Sequence, residues 1–146
     1  MVDIERTGSA VWRGDLRSGD GTLSLQSAAL RDEQYTFATR FENAPGTNPE
    51  ELIAAAHAGC YSMALSNVLS KQGYQVDGIE TTATVSLTSK EGGGFAISKS
   101  ALQVRGRIPG ITQETFEQMA EEADSACPVS NLLRSGLEIE VQAILA

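Results

Sequence analysis

At 146 residues the chain has the length of one domain, and a fold of that size buries about 70% of the surface its unfolded chain exposes, enough for one sizeable core. A formal net charge of -8 and an isoelectric point near 4.6 create a field that repels phosphate backbones and anionic lipid, which disfavours nucleic-acid and membrane-surface partners. The start, Met1-Val2-Asp3-Ile4-Glu5, has neither the basic residues nor the apolar run of a secretory signal, so the expectation is a cytoplasmic chain whose two cysteines are reduced thiols, metal ligands or redox centres rather than a structural staple.

The first third alternates polar and apolar residues in short runs broken by Gly14, Ser18-Gly19-Asp20-Gly21 and Asp32-Glu33, which predicts strands over 8–13, 22–27 and 34–41. In the third of these, a period of two puts Tyr35, Phe37 and Phe41 on one face and Thr36, Ala38 and Arg40 on the other, so Arg40 is expected to point away from the aromatic side. The stretch Asn43-Ala44-Pro45-Gly46-Thr47-Asn48-Pro49-Glu50 reads as a turn and a helix start, with proline and acidic residues where the first turn accepts them. Thr47-Asn48-Pro49-Glu50 fits a capping box, which makes capping the default role of Glu50.

The helix that follows runs to about Lys71 and is ended by Gly73. Its apolar positions, Leu52, Ile53, Ala56, Cys60, Met63, Ala64, Leu65, Val68 and Leu69, surround most of the cylinder, which predicts a central helix buried on several sides. His57, Ser62, Ser66, Asn67 and many alanines dilute it too much for a membrane span. Beyond it, Thr81, Ala83, Val85 and Leu87 alternate with Thr82, Thr84 and Ser86, and a second run over 95–108 follows the Glu91-Gly92-Gly93-Gly94 turn, which predicts two paired strands. Pro109-Gly110-Ile111-Thr112 then leads into a helix over 113–126, and Pro128 opens a short helix through Arg134. Leu137, Ile139, Val141, Ala143 and Leu145 against Glu138, Glu140 and Gln142 form the cleanest half-buried strand pattern in the chain. With no repeat and no long linker, the expectation over 1–146 is one α+β domain whose strands pack around or against a buried helix.

Cys60 lies mid-helix, where a cysteine is often core filling; to act as a nucleophile it needs a cation nearby, because burial alone raises a thiol's pKa. His57, one helical turn before it, could face the thiol or bind a metal with Cys60 and Cys127, but the close cysteine doublets of specific metal motifs are missing, so no metal is assigned. Cys127, just before Pro128, is either a core contact at a helix end or a thiol acidified by the next helix. Spacing does not show whether the two sulfurs meet, since a disulfide requires Cα atoms within about 7 Å. Glu50 precedes Cys60 by ten positions, about 15 Å of rise and roughly 80° short of whole turns on a straight helix. If Glu50 serves a site at Cys60, it acts through an intermediary or from a second subunit.

Two segments carry a resemblance. Asn48-Pro49-Glu50-Glu51-Leu52-Ile53-Ala54-Ala55-Ala56-His57-Ala58-Gly59-Cys60, followed by Cys127-Pro128-Val129-Ser130, resembles the OsmC/Ohr family of organic hydroperoxide reductases, and the likeness extends to Ala10-Val11-Trp12-Arg13-Gly14-Asp15 and Thr39-Arg40-Phe41-Glu42, on the OsmC branch. The resemblance implies an OsmC-like fold in an intertwined homodimer, with antiparallel sheets wrapped around the central helices and sites at the subunit interface. It implies a peroxidatic Cys60, a resolving Cys127, an activating Arg40 and a Glu50 that orients the arginine. The implied activity is a stress-response peroxidase that uses no cofactor and reduces organic hydroperoxides through a Cys60 sulfenic acid and a Cys60-Cys127 disulfide, reset by a dithiol such as a lipoyl protein. Phe37, Leu52, Ile53 and Met63 are the expected apolar walls for the substrate. The alternative is a non-catalytic redox sensor or small-ligand binding module built on the same thiols.

Overall fold

A computed structural model describes residues 3–143. The chain divides into two compact units, one holding the sequence up to Ile53 with Leu87–Ile97, the other Ala54–Ser86 and the described residues from Ser98 on. Mixed helix and sheet make the class α+β, as expected.

In the first unit, β1 (Gly8–Arg13), β2 (Asp20–Leu25) and β3 (Glu33–Thr36) form an antiparallel sheet in that order. Gly21 pairs with Trp12 on one side and Tyr35 on the other. A Cβ there would come within 2.8 Å of both rings and 2.3 Å of the Val11 carbonyl oxygen, so only glycine lets the two aromatics close to 5.2 Å between centroids.

The strand expected over 34–41 stops at Thr36, and Phe37–Phe41 is a short helix, α1. Thr36 and Thr39 cap each other: the Thr39 N–H donates to Thr36 Oγ1 at 3.2 Å, and the Thr36 N–H to Thr39 Oγ1 at 2.9 Å. The change of period corrects the position of Arg40. On a helix Phe37, Arg40 and Phe41 share a face, and the Arg40 guanidinium lies 5.3 Å from the Phe41 ring centre, on the aromatic side. Phe41 also stacks with Phe37 at 4.8 Å and with Phe95 at 5.0 Å.

Helix α2 (Pro49–Lys71) begins one residue later than the expected cap. Asn48, not Thr47, is the cap: its Oδ1 accepts the Glu51 N–H at 2.8 Å, and Glu51 takes the Asn48 amide. Thr47 donates instead to the Gln34 carbonyl at 2.9 Å, and Glu50 is left available for another partner. In length and composition α2 could cross a membrane. In the second unit, however, its Tyr61, Leu65, Val68 and Leu69 stripe forms the core with Ile108, Ala123 and Cys127, and Leu65 and Leu69 are fully buried.

Strands β4 (Gly78–Ser89) and β5 (Phe95–Arg107) pair in a two-stranded sheet. They are followed by α3 (Gln113–Ala126) and α4 (Pro128–Ser135), with Cys127 both closing α3 and capping α4.

Two burial expectations do not hold within one chain. Ala56, Gly59, Met63 and Asn67 form an exposed stripe on α2, with Met63 76% exposed. The apolar alternation near the C-terminus forms no strand over the described residues 137–143, where Val141 is 86% exposed; Leu145 lies outside the described residues. A strand needs an edge to pair with and a second helix face needs something to bury it; among the described residues nothing covers either of these segments.

Candidate active site

The middle of α2 and the α3–α4 junction bring Cys60 and Cys127 together as free thiols, half-buried and fully buried respectively, near enough for each to shift the acidity of the other. The start of α4 determines how each sulfur is held. Pro128 has no N–H to offer, so the first donors at this helix end are those of Val129 and Ser130. The Val129 N–H favours ionisation of Cys60, and the Ser130 N–H donates to Cys127 Sγ at 3.4 Å.

The consequences for acidity differ. Burial pushes the Cys60 thiol up, and the neighbouring Cys127 adds to this against the Val129 N–H. For Cys127 burial is again the largest single influence and opposes ionisation. The Ser130 N–H and hydroxyl, the Cys60 thiol and the Val129 N–H together outweigh it and bring Cys127 below the ordinary thiol value. Two neighbouring thiols, one more acidic than the other, are arranged to exchange a proton and to form a disulfide.

His57, considered as a metal ligand from sequence, is 4% exposed and has both ring nitrogens engaged by serines: Nδ1 lies 2.7 Å from Ser100 Oγ and Nε2 lies 2.8 Å from Ser130 Oγ. Burial lowers its pKa. The same side chain borders a cavity of about 740 Å³ whose walls include Leu102 and Val104 of β5 and Asp124 and Arg134 of α3 and α4. Tyr61, beside it on α2, donates to the Ala120 carbonyl at 2.9 Å, and burial pushes its phenol up to about 12.

In the first unit, Glu50 takes the Arg40 guanidinium edge-on. Arg40 Nε lies 3.1 and 3.3 Å from the two carboxylate oxygens, and Nη2 lies 2.8 Å from Oε1. The carboxylate is 11% exposed and the guanidinium side chain 34%, so the pair is held at the edge of the interior. Arg40 borders a pocket of about 290 Å³ walled by Trp12, Leu16, Tyr35, Phe37 and Phe41. A fixed guanidinium against aromatic walls can bind a small polar head on an apolar body.

The sequence-predicted residues thus assemble as two pairs, Arg40 with Glu50 in one unit and Cys60 with Cys127 in the other. Phe37 lines the Arg40 pocket, Leu52 and Ile53 are half-buried on the first turn of α2, and Met63 is exposed. The reading from sequence missed Trp12, Leu16, Tyr35 and Phe41 as pocket walls, although the spacing Phe37, Arg40, Phe41 carries the helical signal. It also missed Ser100 and Ser130, which nothing in a single sequence links to His57.

The family model for OsmC-like proteins matches residues 41–142. Peroxiredoxin OsmC of Escherichia coli (strain K12) is 47% identical over 141 residues, covering 97% of this chain and 98% of the relative. Organic hydroperoxide resistance protein OhrA of Bacillus subtilis (strain 168) is 32% identical over 88% of this chain and 86% of its own. Among solved structures, an organic hydroperoxide resistance protein from Elizabethkingia anophelis superposes with a TM-score of 0.69 at 26% identity, covering 94% of each chain. Both halves of the cysteine motif fall within the matched segment, and the chain belongs to the OsmC-like protein family.

Proposed function

We propose that this chain is a thiol-dependent peroxidase that reduces organic hydroperoxides to alcohols. The observation that carries the reading is the juxtaposition of the Cys60 and Cys127 thiols at the start of α4, in a chain nearly half identical to a peroxiredoxin. The Cys60 thiolate attacks the outer peroxide oxygen; the O–O bond breaks, the alkoxide leaves and takes a proton, and Cys60 becomes a sulfenic acid. Cys127 then attacks the Cys60 sulfur, expelling hydroxide and forming the disulfide, and a dithiol reductant resets the pair by exchange.

Arg40 supplies the cation that Cys60 otherwise lacks, and Glu50 fixes its plane. The aromatic pocket beside Arg40 supports an organic substrate, because a hydrocarbon tail buried there gains about 25 cal/mol for each Å² removed from water and hydrogen peroxide has no tail to bury. The expected partners are a second copy of the chain and a dithiol carrier such as a lipoyl protein, in the cytoplasm. Two features support the homodimer: the exposed stripe of α2, where Gly59 has nothing within 4 Å of an added Cβ, and the uncovered alternation from Leu137. A mid-helix glycine costs roughly 1 kcal/mol against alanine and serves best where another helix must come close.

The test is turnover of cumene hydroperoxide with a dithiol. Cys60→Ser abolishes it, whereas Cys127→Ser forms a sulfenic acid once and stops without a disulfide. Multiple turnovers in Cys60→Ser would remove the assignment.

A further inference from the structure

The proposed cycle leaves one proton unaccounted for. Cys127 is fully buried, yet it must lose its proton before it can attack the Cys60 sulfenic acid. The groups on its far side form a chain. Ser130 donates its N–H to the Cys127 sulfur at 3.4 Å and its hydroxyl favours ionisation of the same thiol, Ser130 Oγ lies 2.8 Å from His57 Nε2, and His57 Nδ1 lies 2.7 Å from the hydroxyl of Ser100, a half-buried residue on β5. His57, Ser100 and Ser130 all border the 740 Å³ cavity, which gives the chain an outlet.

We propose that Ser130, His57 and Ser100 form a proton relay that carries the Cys127 proton to the cavity during resolution, with His57 as its positioning residue. The relay rests on the peroxidase reading above. A neutral imidazole donates from one nitrogen and accepts at the other, so the chain has two settings. In the first, the Cys127 thiol donates to Ser130, Ser130 donates to Nε2, and the Nδ1–H donates to Ser100. In the second, Ser100 donates to Nδ1, the Nε2–H donates to Ser130, and Ser130 donates to a Cys127 thiolate.

Passing from the first to the second moves four protons by one bond each. Cys127 gives its proton to Ser130, Ser130 to Nε2, Nδ1 to Ser100, and Ser100 to water in the cavity. No residue of the relay is charged at either end. That suits a histidine whose burial disfavours the imidazolium.

The thiolate then attacks. The S–S bond forms, the Cys60 S–O bond breaks, and the departing hydroxide is protonated to water, so the sum is sulfenic acid plus thiol to disulfide plus water. When a dithiol later opens the disulfide, the relay runs in reverse and reprotonates Cys127.

Among the described residues, the charged and titratable groups around His57 are few. Asp124 of α3 favours a protonated ring and Arg134 of α4 opposes it, but these two pair with each other at 2.5 Å. Glu121 of α3 lies on the cavity wall, Tyr61 of α2 holds its proton against the Ala120 carbonyl, and β5 lines the cavity with the neutral Ser100, Leu102 and Val104. Cys60 and Cys127 complete the set.

Single-turnover quench-flow with one equivalent of cumene hydroperoxide tests the relay, with sulfenic acid and disulfide resolved by mass spectrometry between pH 5.5 and 9. The first step serves as the internal reference. In the wild type the condensation rate varies little across neutral pH and shows a solvent isotope effect from several protons. In Ser130→Ala, which keeps the N–H to Cys127 and a good helix former, condensation slows at least about tenfold relative to sulfenic acid formation. Its rate then rises about tenfold per pH unit until the thiol titrates, and the isotope effect collapses. His57→Gln gives the same profile, with the fold of each variant checked by circular dichroism.

Normal condensation with an unchanged pH profile in folded Ser130→Ala overturns the relay while leaving the peroxidase intact. Absence of a Cys60 sulfenic acid or of the disulfide in the wild type overturns the peroxidase reading itself, and the relay with it.

Discussion

The sulfur of Cys60 is not acidic on its own account. Burial and the neighbouring thiol raise its pKa, and the influences on it, burial, the Val129 N–H and Cys127, include no cation. Cys127 is the more acidic of the two. Left so, the resolving sulfur would ionise first, so the proposed cycle requires a cation that reverses the order once the site is complete, and Arg40, already fixed by Glu50, fits that role. In a Cys127→Ser background, which leaves one thiol to titrate, Arg40→Ala is expected to raise the Cys60 pKa by about 1–3 units, the effect of an opposite charge a few ångströms away. Thiolate absorbance against pH measures it; an unmoved titration would discard Arg40 as activator. The sign follows from linkage: the variant loses reactivity most near neutral pH and recovers part of it as pH rises through the new pKa.

Disulfide reduction follows from the difference in exposure. Cys60 is the more accessible sulfur and Cys127 the buried one, so the reductant is expected to attack Cys60 and expel Cys127. Treating the oxidised protein with a monothiol and mapping the trapped mixed disulfide by mass spectrometry checks this. Its appearance on Cys127 would refute the order.

At the scale of elements, the short helix α1 decides what Arg40 can do. As a strand, residues 37–41 would turn the guanidinium away from Phe37 and Phe41; as a helix, the two rings and the cation share a face beside the pocket. The two-threonine cap that starts α1 lacks the glutamate of the usual box, which is why alternation dominated the reading of this stretch from sequence. Thr36→Val removes the side-chain acceptor at nearly constant shape and is expected to cost about 0.5–2 kcal/mol. It should also raise the KM for cumene hydroperoxide as Arg40 and Phe37 lose their placement. Thr112→Val, which removes the corresponding cap of α3, provides the comparison: similar destabilisation in urea with KM unchanged. Equal KM values in the two variants would separate α1 from substrate binding. By contrast, β1 and α3 were legible to the residue, because an alternating run between turns and an amphipathic run between Thr112 and Cys127 each carry their own boundaries.

At the scale of the whole molecule, the features hardest to read from the sequence are those that one chain cannot satisfy. The apolar residues of α2 surround the cylinder, which predicts burial on several sides; one stripe meets the core through Leu65 and Leu69, while Ala56, Gly59 and Met63 remain exposed. Likewise, Leu137, Ile139 and Val141 alternate as a strand should, and among the described residues they join no edge. Both patterns become consistent with the physics if a second copy supplies the missing surfaces, as an intertwined homodimer would. Met63 provides the test. At 76% exposed in one chain, it would tolerate Met63→Asp with little effect on a monomer's stability. In a dimer the same change loses the roughly 1.5–3 kcal/mol that a buried methionine contributes and leaves a charge to be desolvated without a partner. Light scattering at micromolar concentration is therefore expected to give twice the chain mass for the wild type and the chain mass for Met63→Asp, with peroxidase turnover falling in step. A wild type that scatters as a monomer, or a variant that stays dimeric and active, would leave the exposed stripe without its proposed occupant.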